Sequence, residues 1–446
     1  LARLHQVASA WYARVGLIDD ALRHALAAGD ESVAAELLIS QFHAMLDQQL
    51  PAPTLMRWLA LFPPATIQAQ PGLLFAQLCL SAFGIGPATP SARLADIEAM
   101  IQQDPKLIAE RRQALLADLA LLRGIFAYWN GEPQQAILLL QGVLEQRLLA
   151  HLFGRAQALM HLALAYTCTG EIAVGHRLLH TALIEETAQQ RPTQVILLGG
   201  LAILHLHAGE LTEAVYAATQ AVAAVEDSKG HAAWQGIGFV DMWHGWAHYL
   251  LGMTRYEQND LATATHHWQR VETMRYRTNP SVYQGSLLGL ALIAQANGAP
   301  SQALAYAQAA RAFAAEIRRP QLLALSAAFE VRLALHNGQT ADALRQTQTI
   351  DTAANQGMAI GVELPPLTRL CALLAVGTPA ALTEALAFVA LCLRNAENTH
   401  NTRQVIQLGA LQALILHGLR RTEEAFDVLA RTLTLGETGG FVRTFL

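Results

Sequence analysis

The sequence predicts an all-α protein, a right-handed superhelix of stacked helical hairpins running the length of the chain. One observation is a recurring unit: a helix ending in a bulky or aromatic residue, a Gly or Asn turn, and a small residue five positions on. It occurs at Gly131/Ala136, Gly170/Gly175, Gly209/Ala214, Asn259/Ala264, Gly298/Ala303 and Gly338/Ala343. Successive turns lie 39, 39, 50, 39 and 40 residues apart, the kind of period that marks a helical-repeat array. The second observation is that the period extends. Counting on by about 40 residues puts further turns near Ala380 and Arg420, each again followed five residues later by an alanine, Ala385 and Ala425. A hairpin of this size cannot bury its apolar face alone, so each must stack on the next, and stacking generates a curved solenoid with a long inner surface. A repeat outweighs length as a guide to domain count. The 446 residues are therefore read as one array, less regular over 1–106 and regular over 107–446.

The elements follow in chain order. In the segment LIDDALRHALAAG, Ala21, Leu22, Ala25 and Leu26 form one apolar helical stripe, Gly29 stops the helix, and Asp30 caps the next one by accepting from its free amide hydrogens. Pro51 and Pro53 break the pattern before LMRWLALFP, and Pro63, Pro64 and Pro71 break it before GLLFAQLCLSAFG. Gly84 to Ser91, GIGPATPS, is the most loop-like stretch. Helices then follow over Ala92 to Gln103 and Leu107 to Trp129, and each later period reads as a long helix, a turn and a shorter helix rich in Ala and Leu. Two intervals depart from regularity. One is SKGHAAWQGIGFVDMW, where the 209 to 259 spacing is about ten residues longer. The other contains GMAIGVELPPL and Pro379. Such breaks shape the inner surface of a solenoid and are the places to expect a specific ligand contact.

Composition excludes several functions. Hydrophobic residues make up 53% and charged residues 15%, and the net charge of −5 with no run of Lys or Arg offers no electrostatic footprint for nucleic acid. Cys79, Cys168, Cys371 and Cys392 are scattered through apolar segments without ligand-pair spacing, which suits buried reduced thiols in the cytoplasm. The longest continuous apolar stretch, Val195 to Leu206, is too short to span a bilayer, so no membrane association is expected. Leu1 opens directly into an amphipathic pattern with no leader, and a chain without an initial Met is expected to be part of something longer. GxxxxGK[ST], GxSxG, HExxH and CxxC are all missing, so neither an enzyme nor a metal centre is expected, and no basic recognition helix follows a helix-turn-helix pattern.

The richest cluster is Trp234, Asp241, Trp243, His244, Trp246, His248 and Tyr249. Asp241, His244 and His248 stand at i, i+3 and i+7, so one helical face could carry a metal-binding or acid/base group; the same rings also suit packing between helices. The ligand-binding residues expected here are Trp234, Asp241, Trp243, His244 and Trp246. Aromatic faces would bury apolar ligand surface while Asp and His orient its polar groups. The competing reading has Trp243 and Trp246 fill a wider gap between hairpins. His205 and His207 fall on adjacent helix faces, which suits packing better than a shared site. Trp11, Tyr12, Trp129, Tyr166 and Tyr256 sit near the turn ends of first helices, where they close the hairpin cores or else line the concave side.

WYARVGLIDDALRHALAAGDESVAAELL, residues 11–38, resembles the opening of the helical-repeat domain in MalT-type regulators, the ATP-dependent transcriptional activators of the LuxR family. LGETGGFVRTFL at the end resembles the segment that closes that domain, and the turns between match its tetratricopeptide-like repeats in type and spacing. The resemblance implies a cytoplasmic sensor and coupling domain of a transcriptional activator, binding a small inducer or a regulatory protein on the superhelix. It implies ATP in a separate N-terminal domain and DNA contact only through a separate C-terminal one. The alternative is a protein-interaction scaffold with no small-molecule effector.

Overall fold

The computed structural model describes residues 1–48, 52–82, 93–105, 107–146, 149, 151–189, 191–228, 238–347 and 360–446. Among these the chain is helical throughout, with no strand. The first helices are α1 (Ala2–Arg14), α2 (Ile18–Ala27), α3 (Glu31–Gln48), α4 (Ala52–Leu59), α5 (Pro64–Ala69), α6 (Pro71–Ala82) and α7 (Arg93–Gln103). Paired hairpins follow: α8 (Ala109–Trp129) with α9 (Pro133–Glu145), α10 (Leu152–Cys168) with α11 (Ile172–Ala188), and α12 (Gln194–Ala208) with α13 (Leu211–Ser228). Next come α14 (Gly238–Glu257) with α15 (Leu261–Glu272), α16 (Pro280–Ala296) with α17 (Pro300–Glu316), and α18 (Pro320–His336) with α19 (Thr340–Thr347). The last pairs are α20 (Pro365–Val376) with α21 (Pro379–Asn398) and α22 (Thr402–Gly418) with α23 (Thr422–Gly439), before a 3₁₀ turn at Arg443–Phe445.

The repeated turn has one physical cause. At each, a residue with left-handed backbone follows the first helix, and the next N–H reaches back to the carbonyl five residues earlier. Glu132 N–H donates to Ala127, Glu171 to Tyr166, Glu210 to His205, Asp260 to Arg255 and Arg421 to Leu416, at 2.8–3.0 Å. Gly131 and Gly170 take φ of 81° and 86°; Asn259 and Arg420 take 62° and 63° without being glycine. An arginine in this conformation costs about 1 kcal/mol or more, which the closing bond and the stacked helices outweigh. The turn expected near Ala380 lies instead at Gly377, φ 65°, and Ala380 is already inside α21. The small residue after each turn is where the second helix meets the first. Ala136, Ala214, Ala264, Ala303, Ala343, Ala385 and Ala425 are all buried. At Gly175 a Cβ would come within 2.6 Å of the Ala163 carbonyl oxygen, so only glycine permits that approach.

Three sequence expectations change. The second helix is not generally shorter: α11 equals α10 at 17 residues, and α21 has 20 against 12 in α20. α21 is also long and apolar enough on average to cross a membrane, although it packs between α20 and α22 as a hairpin helix. A search for continuous apolar runs passes over it because Thr383, Glu384 and Arg394 interrupt it. Trp11 and Trp129 are respectively 50% and 40% exposed and do not close hairpin cores. The Gly29 stop and the Asp30 cap stand as read, with Val33 N–H donating to Asp30 Oδ1 at 3.2 Å. The stretches 84–91 and 229–237 lie outside the described residues.

First helices pack on the first helices of neighbouring hairpins from α8 to α22, while second helices touch chiefly first helices, so the first helices form the inner layer. α12 is apolar on every side, and Val195–Leu204 is buried throughout. Such a helix needs cover on its inner side as well. α22 supplies it, packing directly on α12. The Gly209 turn lies under Thr402 and Phe441, and the Val442 N–H donates to the Glu257 carbonyl at 2.9 Å. The superhelix thus turns far enough for its last unit to seat on its own middle.

Candidate functional site

Four of the five residues singled out in the sequence lie in or beside the first half of α14, and Trp234 lies outside the described residues. Asp241, partly exposed, forms an ion pair with Arg277, Oδ2 to NH2 at 2.6 Å. Trp243 is 4% exposed and rests on Gly199 of α12, where a Cβ would fall 2.8 Å from its ring. Trp246 stacks on Trp243 at 6.1 Å and meets the edge of Tyr249 at 5.9 Å. His244 is buried, its ring 4.7 Å from that of His248, whose Nδ1 lies 3.0 Å from Nδ1 of His267. Burial, then the neighbouring His244 and His267, push the His248 pKa down to about 3, so it is neutral at pH 7. The structure therefore brings the two tryptophans together and the two histidines together, and turns the Asp241 carboxylate toward Arg277.

One helical turn beyond Tyr249, α14 faces a cavity of about 170 Å³ between the middle units and the last unit. Its wall includes Met253, Tyr256 and Glu257 of α14, Trp268 of α15, Arg332 of α18, Val362, Thr368 and Cys371 in and before α20, Arg403 and Gln407 of α22, and Arg443 and Thr444 of the tail. At its centre the buried Glu257 carboxylate accepts from Arg403 Nε at 3.1 Å, Gln407 Nε2 at 2.9 Å and Thr444 Oγ1 at 3.1 Å. Arg403 also donates to the Gly361 carbonyl at 3.3 Å, and the Arg443 guanidinium lies 5.6 Å from the Tyr256 ring centre.

A second pair, with a buried carboxylate and a partly exposed guanidinium, braces the wall. Arg332 NH1 donates to Glu363 Oε2 at 3.0 Å, and Thr368 donates to the other carboxylate oxygen. Burial works against the Arg332 charge, but Glu363 outweighs it and holds the guanidinium protonated. Burial pushes the Cys371 thiol up, which disfavours its thiolate form. His207, buried on α12, is held down to about 4 by burial and by the Arg403 charge.

These groups escape a sequence reading for a definite reason. Glu257 precedes a turn, where a carboxylate normally meets water, and its partners lie 146 to 187 residues away. Two signals did point here: Tyr256 as a possible concave-side aromatic, and the break at GMAIGVELPPL, whose described part supplies Val362, Glu363 and Leu367.

An inner layer of first helices, an outer layer of second helices and a lined inner face define a tetratricopeptide-type helical-repeat array, a class that works by binding and not by catalysis. Residues 117–446 match the family described as the MalT-like TPR region, and the chain belongs to that family. The match includes the closing segment 435–446; the opening segment 11–38 lies outside it. The chain is 27% identical over 185 residues to the HTH-type transcriptional regulator MalT of Yersinia pestis (strain Pestoides F), and equally to that of Yersinia pseudotuberculosis serotype O:3 (strain YPIII). That similarity covers 39% of this chain and 19% of the relative, so the chain spans about a fifth of those proteins. Among solved structures, Rap protein complexed with competence and sporulation factor aligns over 91% of this chain and 98% of that one, with TM-score 0.53 and 13% identity, a likeness of fold.

Proposed function

We propose that the chain is a regulatory protein-interaction domain, and that its partner-binding state is set by whether the last unit is seated on the middle of the array. The observation that carries this reading is the Glu257 hub, where one buried carboxylate joins α14 to α22 and the tail across 146 to 187 residues. Buried ion pairs of this kind contribute little net stability but are strongly disfavoured when half broken, which makes them suited to two discrete arrangements. The MalT relatives are transcriptional regulators, and Rap binds competence and sporulation factor; both likenesses favour a domain that receives a partner.

A specific observation favours a small-molecule effector as a second reading. The cavity combines Tyr256 and Trp268 with converging Arg, Glu and Gln groups, and the Gln407 Oε1 acceptor is buried without a protein partner. Its volume lies below the roughly 300–1,000 Å³ of typical ligand sites, so a larger effector would have to lift the last unit, and binding and unseating would be coupled. On this reading the domain is the cytoplasmic sensor of a LuxR-type activator, with ATP and DNA handled by other domains. Asp241, Trp243, His244 and Trp246 then serve through packing behind the site, with Trp234 as a candidate contact.

Calorimetry against sugars, other polar metabolites and short peptides, with hydrogen exchange on residues 402–418 and 440–446, tests both readings. A small molecule whose binding changes exchange there and is lost in Tyr256→Ala supports the effector reading. Binding of peptides or proteins alone supports the scaffold. Ligands of either class that bind without changing exchange at the last unit overturn the coupling.

A further inference from the structure

We propose that His176, His205 and Glu210 form a binding site for a divalent transition-metal ion of the zinc type. The three come from different segments: His176 from the first turns of α11, His205 from the last turn of α12, and Glu210 from the turn into α13. Each offers one donor atom, and all three atoms lie within 4.8 Å of one another. His205 Nδ1 is 2.7 Å from Glu210 Oε2, and the His176 and His205 ring centres are 4.7 Å apart.

Tetrahedral zinc with bonds of about 2.0–2.1 Å holds its donors roughly 3.3 Å apart. Closing the set therefore asks for movements of about 1 Å at side-chain ends, with no backbone change. The backbone is already fixed: the Glu210 N–H donates to the His205 carbonyl at 2.9 Å, which holds this imidazole and this carboxylate on one side of the turn. His180, one turn along α11, stacks its ring 6.2 Å from that of His176 and is not one of the three donors, so the fourth position is left to water. Two imidazoles and a carboxylate suit zinc better than magnesium or calcium, which prefer oxygen donors.

Protonation also suits the role. Burial first, then the neighbouring His205, hold the His176 pKa below the ordinary histidine value, so the ring is neutral and free to coordinate at pH 7. The group is partly exposed, with Glu210 at the surface, so an ion can enter without opening the core. The histidines of α14 and α15 do not compete as a site. His248 and His267 face each other through ring nitrogens there, and Asp241, the acid beside them in sequence, is paired with Arg277.

The test uses the whole chain stripped with a chelator and titrated with zinc chloride in a calorimeter, then with cobalt chloride while visible absorption is recorded. One ion per chain is expected, with cobalt bands of a nitrogen and oxygen site and no thiolate charge transfer. His176→Ala and His205→Ala should each weaken binding by more than the roughly 10–100-fold that loss of an outer partner costs. Glu210→Gln should weaken it less, and His267→Ala should leave it unchanged. Melting of the metal-free variants checks that each is folded. The cobalt spectrum of the unaltered chain decides the ligand type even if a variant fails to fold. No saturable binding up to about 1 mM zinc, or full binding retained in a folded His176→Ala/His205→Ala double variant, would overturn the site.

Discussion

In the first half of α14, from Asp241 to Tyr249, aromatic and imidazole rings pack against α12 and α15, and the one carboxylate is paired near the surface. In the second half, from Met253 to Glu257, the helix faces the cavity, and its carboxylate is buried with partners from the far end of the chain. The first half is conspicuous in sequence and holds neighbouring hairpins together. The second half is inconspicuous and holds distant ones together. Ring-rich clusters report local packing density, whereas a buried charge reports a long-range commitment, because burial of a carboxylate is tolerated only where partners arrive to satisfy it.

The largest effect expected from breaking this contrast is at Trp243. Trp243→Ala should cost about 3–5 kcal/mol of stability, since the indole leaves a cavity over Gly199 that neighbouring helices fill only in part. Chemical denaturation measures the loss. In a nearest-neighbour array it should fall first on α12, α14 and the hairpins beside them and reach the last unit only through them, so hydrogen exchange of residues 440–446 below the unfolding transition should rise less than that of α12.

Glu257→Gln should reverse that pattern at a comparable cost, about 3–5 kcal/mol. The amide keeps the shape and one acceptor but leaves the buried Arg403 guanidinium without its counter-ion. Exchange should accelerate in residues 402–407 and 440–446 before α12 is affected. Equal acceleration along the whole array would mean that the last unit is not separately seated.

Acid sharpens the comparison further, because a neutral buried histidine belongs to each side of it: His248 within the first half of α14, and His207 of α12 beside Arg403, the partner of the second half. The His207 pKa lies at about 4 in the folded chain against an ordinary 6.5. Between those values the unfolded chain takes up a proton that the folded chain refuses. Stability is thus fully present above pH 6.5 and declines as pH falls toward 4. His207→Gln should remove about one proton from that dependence, about 1.4 kcal/mol per pH unit within the window. Urea melts at several pH values measure it. A slope identical to the unaltered protein's would mean that His207 is already protonated when folded.

The regular part of the fold was legible because its cause is local. The Gly131, Gly170 and Gly209 turns need left-handed backbone, and the small residue five positions on needs close helix contact; both leave their mark within a few residues. Arg420 shows that the register persists when glycine does not, and the displaced turn at Gly377 shows that extrapolation places a turn only to within a few positions. The closure of the last unit was not legible. Apart from the neighbouring Tyr256, nothing near Glu257, Arg403 or Thr444 distinguishes them from surface residues until the superhelix has turned far enough to bring them together. The apolar run Val195–Leu204 carried a trace of it, since a helix apolar on all sides must be covered on all sides. That trace names no partner.

Asp241→Asn gives the smallest expected effect and the cleanest separation of the two halves of α14. Its partner Arg277 is 63% exposed and the carboxylate itself a third exposed, so water screens the pair despite the 2.6 Å contact. Exposed ion pairs contribute about 0–1 kcal/mol, and both guanidinium bonds go to one carboxylate oxygen, Oδ2, a place the amide oxygen can take, so the melting point should barely move. The same variant carries a functional arm. Should a polar effector that binds this chain lose affinity on Asp241→Asn with the fold intact, the ligand reaches the first half of α14 and the boundary drawn at Tyr249 is wrong. Unchanged affinity, beside a loss in Tyr256→Ala, would confine recognition to the second half, where the charges are buried and the last unit is seated.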